Sequence, residues 1–96
     1  MKRNVERSQN PVPELSRFLG IVIYMYYREH APPHFHAEYA EFEITVEIAT
    51  GVVTGTFPRR ALHLVLEWYS LHKAELAEDW SLAQSKQPLK TIDPLE

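Results

Sequence analysis

The sequence predicts an α+β domain: a four-stranded antiparallel β-meander packed against a long C-terminal helix plus a short helix. Three observations carry that prediction. Glu41-Phe42-Glu43-Ile44-Thr45-Val46-Glu47-Ile48 alternates strictly between polar and apolar residues, the period of a strand with one buried face. The apolar runs around it are joined by only a few residues, and strands joined so closely run antiparallel. Beyond Pro58 the apolar residues recur with helical spacing, so helix follows strands rather than alternating with them.

Each element has its own justification. Residues 1–14 are polar and non-periodic and contain Pro11-Val12-Pro13, and they read as a flexible N-terminal extension; residues 15–96 read as one domain. Gly20 to Tyr27 is a continuous β-branched and aromatic run, a strand covered on both faces. Pro32-Pro33 makes a stiff corner that cannot belong to a central strand, and a second strand runs from His34 to Tyr39. In the third strand Phe42, Ile44, Val46 and Ile48 face the core, and Glu41, Glu43, Thr45 and Glu47 face water. Ala49-Thr50-Gly51 turns the chain into a fourth strand, Val52 to Phe57, where Gly55 marks a bulge or a weak edge.

Pro58 suits the first turn of a helix, with Thr56 or Phe57 as the cap. Leu62, Val65, Leu66, Trp68, Tyr69, Leu71, His72 and Leu76 form its apolar face, and His63, Glu67, Ser70, Ala74 and Glu78 the opposite one, over about five turns. A short helix from Trp80 to Gln87, stopped by Pro88, follows. Ile92 and Leu95 dock the tail as an extended arm.

At 96 residues the chain can bury one core. It has no cysteine, which excludes disulfides and thiolate metal sites and fits a reducing cytoplasm. No apolar run approaches the roughly 20 residues that span a bilayer, and the first ten residues lack the apolar segment of a signal peptide. A net charge of −3 argues mildly against a dedicated nucleic-acid binder, although Arg59-Arg60 leaves room for a local basic patch and an RNA target.

The densest chemistry lies in Tyr27-Arg28-Glu29-His30-Ala31-Pro32-Pro33-His34-Phe35-His36-Ala37-Glu38-Tyr39. On a strand, His34, His36 and Glu38 share one face. Such a row can ligate a metal, but it needs a further ligand from elsewhere, for which His30, His63 and His72 are the candidates. Half-exposed strand histidines beside Glu38 account for the same pattern, and the expectation is no metal and no cofactor. His30, His34 and His36 also suit general acid–base work, with Arg28 or Arg59 stabilising a phosphate or oxyanion. Arg59 and Arg60 stand at the positive end of a helix, where cations are disfavoured unless an anion is near. Tyr26 and Tyr39 are the aromatics best placed for an exposed interface. The candidate catalytic residues are therefore His30, His34, His36 and Arg59, and the candidate binding residues Tyr26, Arg28, Glu38, Tyr39 and Arg60.

Ser16-Arg17-Phe18-Leu19-Gly20-Ile21-Val22-Ile23, Met25-Tyr26-Tyr27, His30 to Tyr39, Pro58-Arg59-Arg60-Ala61-Leu62 and Glu67-Trp68 together resemble the DUF4160 family of small bacterial proteins. The likeness runs from about Ser16 to the C-terminus, and Pro-Pro-His-Phe-His is its most specific part; Ala31 departs from the family, which more often has Asn or Glu there. The resemblance implies a component of a two-protein module of the toxin–antitoxin type, with the toxin as the expected role and a DUF2442 protein as the partner. It brings no catalytic residue set with it. Two mechanisms stay open at this point: a metal-independent ribonuclease-like enzyme using the His/Arg cluster, or a non-catalytic protein-binding module, with homo-oligomerisation undecided.

Overall fold

The structure is a computed structural model that describes residues 12–96. Five strands form one antiparallel sheet in chain order: β1 (Glu14–Phe18), β2 (Ile21–Tyr24), β3 (His34–Tyr39), β4 (Phe42–Glu47) and β5 (Val53–Thr56). Two helices follow, α1 (Arg59–Leu71) and α2 (Lys73–Gln84), and then an extended arm to Glu96. The α+β meander is as expected; the number of strands and the division of the helices differ.

The additional strand is β1. The expected N-terminal extension lies outside the described residues as far as residue 11, but Glu14 within it already pairs with Tyr24 of β2. The register slips between Glu14 and Ser16, so Leu15 and Ser16 are buried consecutively. That bulge removes the period of two by which a strand is read. The turn into β2 is equally hard to read. Leu19 and Gly20 both take positive φ, 53° and 83°, the pattern of a two-residue hairpin turn that usually selects Asn-Gly.

From β2 to β4 the register is continuous and sorts side chains cleanly. Ile21, Ile23, Phe35, Ala37, Ile44 and Val46 form an inner row against the helices, all of them at most 2% exposed. Val22, Tyr24, His34, His36, Glu38, Glu43 and Thr45 form the outer row. Phe35 meets the rings of Trp68 and Tyr69 on α1, which fixes the helical layer on the inner face. Gly55 does not interrupt the register with β4. Its φ of 106° brings its backbone so close that an added Cβ would lie 2.6 Å from the Glu43 carbonyl oxygen. It is a close-approach glycine rather than a bulge.

Pro58 itself caps α1, without a side-chain cap bond, in place of the expected Thr56 or Phe57. The expected single long helix is broken at His72 (φ −129°), eight residues before the expected start of a short helix at Trp80, and α2 ends at Gln84, short of Gln87 and Pro88. Neither Gly nor Pro occurs between Ser70 and Lys73, so nothing local announces the break. Leu71, placed on the apolar face by the helical wheel, is 65% exposed as a result. The arm behaves as expected. Ile92 is buried and its N–H donates to the Leu15 carbonyl (2.8 Å), while Trp68 Nε1 donates to the Asp93 carbonyl (2.8 Å). No helix among the described residues is long and apolar enough to cross a membrane.

Candidate functional site

Residues 25–33 carry the chain over one end of the sheet between β2 and β3. Hydrogen bonds along its length hold this loop, and at its end Ile48 N–H donates to the Pro33 carbonyl (3.0 Å). Met25 N–H donates to the Pro13 carbonyl (3.2 Å), Arg28 N–H to the Ala83 carbonyl (3.3 Å), and Gln84 Nε2 to the Glu29 carbonyl (3.3 Å). Arg28 takes a left-handed φ of 55°, and the Ala31–Pro32 peptide is cis. The end of α2 thus pins Glu29, and the loop directs its carboxylate back over the outer row of β3.

There the carboxylate meets both strand histidines. Glu29 Oε1 lies 3.0 Å from His36 Nε2 and 3.2 Å from His34 Nε2, and Oε2 lies 3.1 Å from His36 Nε2. His34 Nδ1 is 2.7 Å from the Pro32 carbonyl oxygen. A carbonyl only accepts, so Nδ1 carries the proton and Nε2 is the nitrogen left facing Glu29. The His36 ring stacks on Tyr24 (5.0 Å between centroids) and takes Tyr26 edge-on (4.8 Å). Trp80 of α2 packs on His34 at 5.3 Å.

A second carboxylate stands behind His36. Glu43 Oε2 is 3.5 Å from His36 Nδ1 and accepts a hydrogen bond from the Tyr24 hydroxyl (2.7 Å). Burial, first, and then the hydrogen bond and charge of Glu43 push the Tyr24 hydroxyl far above its ordinary range, so Tyr24 stays a donor. His36 Nδ1 is buried with no hydrogen-bond partner at ordinary distance. The arrangement gathers two imidazoles and one carboxylate around one partly exposed point, with the second carboxylate behind His36.

The expected site residues separate into two groups. His34 and His36 come together, with the exposed Tyr26 over His36. Arg28 contributes its backbone to the same loop, and His30 is exposed on it outside the converging set. Glu38 shares the outer row but lies further along β3, where with Val12, Glu14, Val22, Tyr24 and Tyr26 it lines a shallow cavity of about 360 Å³. Arg60 and Tyr39 belong to the opposite end of β3, in a cavity of about 220 Å³ with Leu19, Pro58, Ala61 and Leu64. Arg59, exposed beside Arg60, therefore does not return to the histidine corner, because α1 starts at the far end of the strand and on the inner face. His63 is exposed on α1 and His72 pairs with Glu75, so neither supplies the further ligand considered for the histidine row.

Sequence reasoning missed Glu29, Tyr24, Glu43 and Trp80. Glu29 was visible in the histidine-rich stretch, five and seven residues before its partners, but only the reversal of the loop brings it to them. Tyr24 and Glu43 lie on β2 and β4, either side of His36, and only the strand register places them there.

A family model described as a domain of unknown function, DUF4160, matches residues 20–81, well over half of the chain. No curated protein and no solved structure matches it.

Proposed function

The chain belongs to the DUF4160 family, and from that premise we propose that it is a non-catalytic protein-binding component of a two-protein bacterial module of the toxin–antitoxin type, the toxin, neutralised in the cytoplasm by a DUF2442 partner. The observation that supports this reading is the outer face of the sheet. α1 lies on the inner face and α2 reaches the outer row only at His34 through Trp80, while the rest of the outer face carries the exposed Tyr26 beside the cavity lined by Val22, Tyr24 and Glu38. An amphipathic tyrosine at the rim of a partly apolar hollow is the kind of residue on which protein interfaces concentrate their energy. Glu38 on the same face calls for a cation on the partner, whereas Glu14 is already paired with Arg17 and Glu43 with the Tyr24 hydroxyl. A ribonuclease reading loses support from the distance between Arg59 and the histidines, and the carboxylates of the outer face oppose an RNA backbone.

Inducible expression with and without the neighbouring DUF2442-type protein tests the module. Growth arrest relieved by the neighbour, with the two proteins co-purifying, is the expected outcome. Tyr26→Ala should weaken the purified complex at least about tenfold with an unchanged melt, and Leu71→Ala on the inner-layer helix should leave it intact. Indifference of growth together with no complex refutes the reading.

A further inference from the structure

We propose that Glu29, His34 and His36 form a binding site for a divalent first-row transition metal, with zinc the ion that suits them best. The site is independent of the partner reading and was not expected from the sequence, which joined Glu38 rather than Glu29 to the two histidines.

Three observations converge on it. The first is separation. Ligands of a tetrahedral zinc ion, each about 2.0–2.2 Å from the metal, stand about 3.3–3.6 Å from one another. Glu29 Oε1 is 3.2 Å from His34 Nε2 and 3.0 Å from His36 Nε2, and one atom from each of the three residues falls within a common 4.8 Å span. Around one ion the two carboxylate–imidazole separations open by a few tenths of an ångström, and the two imidazole nitrogens, already within 4.8 Å, share the same centre.

The second is the tautomer. His34 commits its Nδ1 proton to the Pro32 carbonyl, so in the neutral ring Nε2 presents a lone pair to a carboxylate that also presents lone pairs. Two such acceptors face each other favourably only through a cation between them, either a proton or a metal ion. A backbone carbonyl on the distal ring nitrogen is the usual orienting partner of a metal-bound histidine.

The third is the support behind His36. Its side chain is only 8% exposed, and its Nδ1 has no partner within hydrogen-bond distance. Ligation through Nε2 places the ring proton on Nδ1, toward Glu43 Oε2 at 3.5 Å, and Glu43 is itself held by the Tyr24 hydroxyl. Carboxylate, histidine and metal in line is a recurrent outer-shell arrangement. Glu43 and Tyr24 are thus positioning residues, and Glu29, His34 and His36 are ligands.

The donor set selects the ion. Two imidazoles and one carboxylate disfavour magnesium and calcium, which take oxygen ligands, and suit zinc, iron(II), nickel or copper. Three protein ligands leave a fourth position for water or an incoming group, and Glu29, 25% exposed at its side chain, leaves a route to it.

The test uses the full chain purified without a histidine tag, stripped with chelator and titrated with zinc by calorimetry and with cobalt(II) by absorption. One equivalent per chain is expected, with the intense visible bands of tetrahedral cobalt and a zinc-dependent rise in melting temperature. Glu29→Gln and His34→Ala should abolish stoichiometric binding. Glu43→Gln should weaken it about 10- to 100-fold while keeping the cobalt spectrum. His63→Ala, on the exposed face of α1, should match the parent. Because His36 is buried, His36→Ala is read only after circular dichroism shows it folded, and His34→Ala carries the test if it is not. Zinc binding absent in the parent, or retained at full affinity in both Glu29→Gln and His34→Ala, overturns the site. Neither result bears on the DUF2442 complex, which is measured separately.

Discussion

Asp79 shows at the scale of one residue how a buried polar group makes stability depend on pH. Its side chain is 1% exposed; Oδ1 accepts the Lys90 N–H (2.8 Å), and Oδ2 has no partner. Burial pushes its carboxyl above the ordinary value of 3.8, and the Lys90 N–H only partly offsets that. Folding therefore favours the protonated form. The contribution is fully present below about pH 3.8 and is lost as pH rises through the raised folded value. Asp79→Asn keeps an acceptor for Lys90 and cannot ionise. Relative to the parent it should gain stability progressively as pH is raised from about 4 toward neutrality, measured by urea unfolding at each pH. Parallel profiles for the two proteins would mean that Asp79 does not govern this window.

At the scale of elements, β4 and β5 carry the clearest expectations. Ile44 is 2% exposed on the inner row, and Thr45 beside it is half-buried on the outer row. Ile44→Asp should abolish the cooperative thermal transition, because it buries an unpaired charge, whereas Thr45→Asp should cost no more than about 1 kcal/mol. Equal damage by the two would disprove the register, since a slip of one residue exchanges the faces. In β5, Gly55→Ala should cost about 1–3 kcal/mol, because φ 106° is strained for alanine and the Glu43 carbonyl occupies the space for its Cβ. A chemical denaturation midpoint unchanged by that substitution would contradict the close approach. The alternation of β4 was legible because one of its faces is buried. β1 was not, because a bulge and a Leu-Gly turn at positive φ hide its period and its end.

At the scale of the molecule, the C-terminal arm joins layers that are otherwise distant in sequence. Ile92 bonds to β1 through Leu15, Asp93 accepts the Trp68 indole of α1, and Lys90 reaches Asp79 of α2. Ile92→Ala should cost about 2–5 kcal/mol as a core truncation. Removal of residues 89–96 should cost more and shift one cooperative transition, because the arm spans the whole unit rather than a local patch. Separate melting of sheet and helices in the truncated chain, followed by tryptophan fluorescence and far-ultraviolet dichroism, would show that the arm is not part of a single cooperative core.

The amino-acid sequence alone determined the fold class, the faces of β3 and β4, the docking of Ile92 and the presence of His34 and His36 on one side of a strand. These follow from periods of two and from local chain stiffness, which neighbouring residues specify without outside help. Only the tertiary structure decided that Glu29 closes over those histidines, that Tyr24 and Glu43 stand behind them, and that Arg59 lies at the other end of the sheet. The physical reason is that these relations depend on a loop reversal, on the register between three strands and on the end from which α1 departs, and none of the three is encoded in the spacing of the residues concerned.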